Sequence, residues 1–125
     1  MIDWRCTISY NYLLRQTHVD KNNVQVGAIN LLIKLEIREG YDVLDISGAT
    51  TKNVIIERPD DTIITASGSF VTDGTDGLLY YRTVTGDISL AGIYNAQAYL
   101  VLPNFTGYST PVSFTAYANI PLDNN

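Results

Sequence analysis

Gly68-Ser69-Phe70-Val71-Thr72, then Asp73-Gly74-Thr75-Asp76-Gly77, then Leu78-Leu79-Tyr80-Tyr81-Arg82-Thr83-Val84: this stretch decides the fold. Two short runs of apolar and β-branched residues flank a cluster of Asp and Gly. Gly reaches positive φ without steric cost, and Asp side chains bond their own backbone, so the cluster reads as a tight reversal between antiparallel strands. The pattern repeats outward. Lys52–Arg58 reads as a strand stopped by Pro59-Asp60-Asp61, and Thr62–Thr65 as a short one. Gly92–Leu102 reads as a long one, and Val112–Ile120 as the last, with Val112, Phe114, Ala116 and Ala118 on one side. Gly92–Leu102 is apolar in both phases, which predicts a central strand covered on both faces. Pro103–Pro111 reads as a loop. Strands of this length, with turns every 8–12 residues and no capped helical repeat, predict an all-β antiparallel sandwich.

Working towards the N-terminus, Leu31, Ile33, Leu35 and Ile37 alternate with Lys34, Glu36 and Arg38. The alternation slips by one residue at Gly27-Ala28, which predicts a bulge or a change of sheet. Before it, Ile2, Trp4, Cys6, Ile8, Tyr10, Tyr12 and Leu14 keep period two almost without a break, enough to span about 40 Å as a strand. A boundary near Gly27 therefore divides the chain into an extended N-terminal arm, residues 1–26, and a β-domain, residues 27–125.

The arm has two readings. It is an edge strand of the same sandwich, or it leaves its domain and pairs with a neighbouring subunit, with Trp4, Tyr10 and Tyr12 as anchors. A long apolar edge left open invites aggregation, so something must cover it. Among the remaining tyrosines, Tyr94 and Tyr80 suit the core. Tyr108, in the Pro/Gly segment, is the candidate for an exposed contact.

Charge and chemistry exclude more than they select. Residues 1–26 set Arg5, Arg15 and Lys21 against Asp3 and Asp20; the rest sets five bases against eleven acids, giving −5 for the whole chain. No basic cluster offers itself to nucleic acid or to an anionic membrane, so neither is an expected partner. Cys6 and His18 are each the only residue of their kind, which leaves no internal disulfide or Cys-rich zinc site, and no catalytic dyad is expected of them. The start, Met1-Ile2-Asp3-Trp4-Arg5, lacks the pattern of a signal peptide, so synthesis without export is expected. Asp73 and Asp76 are too few for a Ca²⁺ loop, and Asp60 and Asp61 suit a turn. Phosphate loops and a serine-nucleophile elbow are absent. No catalytic residue and no cofactor is expected.

Asp45-Ile46-Ser47-Gly48-Ala49-Thr50, followed by Val54-Ile55-Ile56, Arg58-Pro59-Asp60-Asp61-Thr62 and Gly92-Ile93-Tyr94, resembles the immunoglobulin-like domain of bacteriophage baseplate upper proteins and related phage structural proteins. The likeness covers about residues 26–119 and departs from the pattern at Asp61, where Gly is usual. It implies an immunoglobulin-like sandwich and a virion structural protein of tail, baseplate or neck. Such a protein is assembled in the bacterial cytoplasm in multiple copies, with other virion proteins and copies of itself as partners. The alternatives are a capsid decoration or head-fibre protein, and a carbohydrate-binding module stacking sugars on Tyr108 and Phe105.

Overall fold

The computed structural model describes residues 4–11, 23–39, 42–103 and 105–119. Eleven strands form among them: β1 Trp4–Asn11, β2 Asn23–Gln25, β3 Leu32–Glu39, β4 Asp42–Val43, β5 Thr51–Glu57, β6 Ile63–Ser67, β7 Ser69–Phe70, β8 Leu78–Arg82, β9 Gly92–Leu102, β10 Phe105–Tyr108 and β11 Val112–Tyr117. The first sheet runs β1-β3-β8-β7, with β4 also on β3. The second runs β2-β11-β9-β5-β6, with β10 also on β9. The chain is an all-β, immunoglobulin-like sandwich. Its pairings are antiparallel except that of β2 with β11, which is parallel.

The alternation seen in the sequence places the core. Ile33, Leu35 and Ile37 of β3 and Leu79 of β8 meet Val54 and Ile56 of β5, Leu100 of β9 and Phe114 of β11 between the sheets, all buried. Fully burying each such side chain stabilises the fold by about 1.5–3 kcal/mol. Ala96 and Ala98 leave room beneath this layer, and Tyr94 stacks on Phe114 with ring centroids 5.1 Å apart. The Tyr94 hydroxyl, buried at the start of β9, donates to the Leu90 carbonyl at 2.7 Å and accepts from the Leu90 amide at 3.1 Å. This is the arrangement of a tyrosine corner, which satisfies a buried polar tip with backbone a few residues upstream.

The phase slip at Gly27 is a change of sheet. β2 lies in the second sheet and β3 in the first; Gly27 takes φ +94° and Asn30 φ +59° between them. A second crossing is at Gly68, between β6 and β7. A Cβ there would stand 2.8 Å from Leu79 Cδ1 and 3.2 Å from Val54 Cγ2, so only glycine lets one strand pass from sheet to sheet.

The structure corrects three expectations and places the N-terminal strand. Of the two readings of the N-terminal strand, β1 takes its place in the same sandwich, paired with β3: Trp4 stands opposite Glu39, and Tyr10 opposite Ile33. The two sheets each draw one strand from residues 1–26. Pro103–Pro111 holds a strand, because β11 pairs with β9 only as far as Ala96 and the far end of β9 still needs partners. β10 supplies them from Tyr99 to Leu102. β9 is central but covered on one face, and Ile93 on the other is 61% exposed. The core tyrosine of β8 is Tyr81, opposite Ile33, while Tyr80 lies opposite Lys34 on the outer face.

Candidate functional site

The two outer faces differ in charge. On the first sheet, Lys34, Glu36 and Arg38 of β3 and Arg82 of β8 point outward, and Arg38 Nε donates to Glu36 Oε1 at 2.9 Å. Register and burial set the outward residues of the second sheet. These are Ile63, Thr65 and Ser67 of β6; Thr51, Asn53, Ile55 and Glu57 of β5; Ile93, Asn95, Gln97, Tyr99 and Val101 of β9. They continue with Thr106 and Tyr108 of β10, Ser113, Thr115 and Tyr117 of β11, and Gln25 of β2. Glu57 is the one charged side chain in that set.

Hydrogen bonds order the polar part of this face. Asn95 Nδ2 donates to Glu57 Oε1 at 3.0 Å, and the Ser113 hydroxyl donates to Asn95 Oδ1 at 2.6 Å. Gln97 Nε2 donates to the Ser109 carbonyl at 2.9 Å. Asn95 and Gln97 floor a shallow depression of about 410 Å³, walled by Ile55, Ile63 and Pro111. On the same face stand the exposed apolar groups Tyr108 (60% exposed), Ile63 (56%) and Tyr117 (49%), with Ile93 between β11 and β5.

Of the contact residues expected from the sequence, Tyr108 is on this face, its ring 4.8 Å from that of Tyr99. Trp4 and Tyr10 belong to β1 in the other sheet, and Tyr12 lies outside the described residues. Phe105 and Tyr108 do not form one platform. Phe105 pairs with Leu102 on the inner side of the ladder, beside a second depression of about 320 Å³ that includes Leu44 and Pro103; Tyr108 pairs with Tyr99 on the outer side. Nothing in the order of residues marked Asn95, Gln97, Ile63 and Tyr99 as neighbours. Each is an ordinary outward residue of its own strand, and only the register brings them together.

The carboxylates are occupied with turns. The side chains of Asp45, Asp60 and Asp73 each accept from the amide and hydroxyl two residues on, at Ser47, Thr62 and Thr75. Those hydroxyl and amide bonds hold all three below the usual Asp range. Asp76 accepts from the Leu78 amide at 3.1 Å and the Thr72 hydroxyl at 2.9 Å. Asp87 accepts from the Val84 amide at 2.9 Å and from the Tyr81 hydroxyl. Burial, reinforced by that bond to Asp87, pushes Tyr81 up to about 12. Among the described residues no three His, Cys, Asp or Glu side chains group as metal ligands. Cys6 is in β1, and His18 lies outside the described residues.

No family model matches the chain, and no curated protein does. Among solved structures it is similar to that of CopC from Methylosinus trichosporium OB3b. The TM-score is 0.55 and the identity 12%, covering 94% of this chain and 100% of that one. At that identity the likeness is one of fold. It overturns the expected bacteriophage virion role, with its tail, baseplate, neck and capsid variants: this similar structure is a protein of Methylosinus trichosporium, and neither a family model nor a curated protein supplies a phage match.

Proposed function

We propose that the chain is a non-catalytic binding module that recognises another protein through the outer face of its second sheet. The observation that carries this is the segregation of charge. A chain of net charge −5 presents one broad face that carries, among the described residues, a single charged side chain, already hydrogen-bonded to Asn95, and sets exposed Ile63, Ile93, Tyr108 and Tyr117 on the same face. Depletion of charge with enrichment of aromatic and large aliphatic groups is the composition of an interface core, because charges are costly to desolvate and apolar area is not. The amides of Asn95 and Gln97 are pre-ordered by neighbours, so they lose little freedom on binding. The engagement of Asp45, Asp60 and Asp73 in turns supports a binding role over acid–base chemistry, since each accepts the bonds that keep it ionised and oriented toward its own backbone.

The test is a photo-reactive phenylalanine analogue placed at Thr115, on the second sheet, and separately at Lys34, on the first, in the native host. A discrete protein adduct from position 115, lost on Ile93→Asp, is expected. Adducts from position 34 and none from 115 refute the reading.

A further inference from the structure

We infer that two copies of the chain pair antiparallel along the outer edge of β6, with Thr65 against Thr65, joining their second sheets into one. Among the described residues β6 has a strand neighbour on one side only, β5. The Arg58 amide donates to the Thr62 carbonyl at 2.8 Å, and the Gly68 amide to the Lys52 carbonyl at 2.8 Å. Hydrogen-bonded pairs alternate along an antiparallel ladder, so Ile64 and Ala66 spend their backbone groups on β5. The N–H and C=O groups of Ile63, Thr65 and Ser67 then point to the open edge. Three residues at spacing two, centred on Thr65, are self-complementary under a two-fold axis. Ile63 meets Ser67 of the second copy, Thr65 meets Thr65, and about six backbone hydrogen bonds form.

The edge is also unguarded. Proteins blunt open edges with Lys, Pro, a bulge or extreme shortness. Ile63-Ile64-Thr65-Ala66-Ser67 has no charge and no Pro, and its register with β5 is unbroken. Of the other edge strands among the described residues, β4 and β7 have two residues, β2 three and β10 four, while β1 carries Arg5.

The two-fold geometry favours a second copy as the occupant, because the same three outward residues serve both partners. In the antiparallel register the acidic turn Asp60-Asp61 of each copy lies at the end of the interface beside Ser69-Phe70 of the other copy, away from that copy's own acidic turn. The two acidic turns are about 27 Å apart at ~3.4 Å per residue, beyond the Debye length of about 10 Å at 0.1 M salt. The axis is perpendicular to the sheet, so both outer faces end on the same side.

Sedimentation and amide hydrogen exchange test this on the full chain at about 0.5 mM and about 5 µM, which bracket the affinity of a small edge contact. A dimer at the higher concentration and a monomer at the lower are expected, with exchange at the Thr65 amide slowed at least about tenfold in the dimer. Thr65→Val, which keeps the amide, leaves the dimer in place. Thr65→Pro removes only an outward-facing N–H, which an edge strand tolerates, and gives a monomer at both concentrations. A monomer throughout, Thr65 exchange independent of concentration, or a Thr65→Pro variant that dimerises like the unmodified chain overturns the inference.

Discussion

Tyr108 lies against Tyr99 across the β9–β10 ladder, with ring centroids 4.8 Å apart and ring planes tilted by 47°. The pair is the register partner at the end of β10, so it both fastens that strand and forms the aromatic corner of the proposed binding face. Tyr108→Ala is expected to cost about 0.5–1 kcal/mol, the usual worth of a cross-strand aromatic pair. Urea denaturation checks this, and a double-mutant cycle with Tyr99→Ala should show the two effects to be coupled.

Asp61 takes φ +71° in the turn that joins β5 to β6. The Asp61 amide donates to the Arg58 carbonyl at 2.9 Å, so Pro59 and Asp60 form a tight turn and Asp61 follows it in the left-handed region. A side chain there is strained where glycine is not. Asp61→Gly is therefore expected to stabilise the fold by up to about 1 kcal/mol, offset in part by the freedom glycine adds to the unfolded chain. Thermal unfolding reads the sign: a lower midpoint contradicts the turn geometry.

Gly68→Ala tests the crossing between sheets. The added methyl meets Leu79 Cδ1 and Val54 Cγ2, both on buried side chains with nowhere to go. A loss of about 1–3 kcal/mol is expected, with the strand content of the folded protein retained. Equal stability of variant and parent in chemical denaturation refutes the close approach.

Tyr81 makes stability fall in alkali. Its folded-state pKa is raised from 10.0 to about 12, so the folded chain holds its proton longer than the unfolded chain. The contribution is complete below pH 10 and is lost as pH rises from about 10 to about 12. Ultraviolet titration of the phenolate in the parent and in Asp87→Asn checks this. The variant loses the acceptor charge and is expected to titrate Tyr81 at lower pH.

At the acid end the sign reverses. Asp45, Asp60 and Asp73 have folded-state pKa values below 3.8, so their contribution is present above that value and is lost as pH falls through the folded ones. Asp60→Asn is expected to flatten part of the fall in stability below pH 4, measured by denaturation at fixed pH steps. An unchanged pH profile removes Asp60 from the account.

Local chemistry in the sequence determined the all-β class, the reversal at Asp73–Gly77, the full extent of Gly92–Leu102 as a strand, and a break at Gly27. These depend on period-two alternation and on turn residues, which act over a few positions. Leu78-Leu79-Tyr80-Tyr81 is apolar in both phases, so the sequence could not say which tyrosine faces inward; pairing of Tyr81 with Ile33 decided it. Phe105 and Tyr108 look like neighbours along the chain and prove to be on opposite sides of a strand. The nearly uncharged outer face was likewise invisible. Asn95, Ile63, Tyr108 and Thr115 come from four strands far apart in sequence, and alternation tells which residues share a side of one strand, never which strands adjoin. That choice depends on long-range pairing and on what the shared core can bury, and it belongs to the tertiary structure alone.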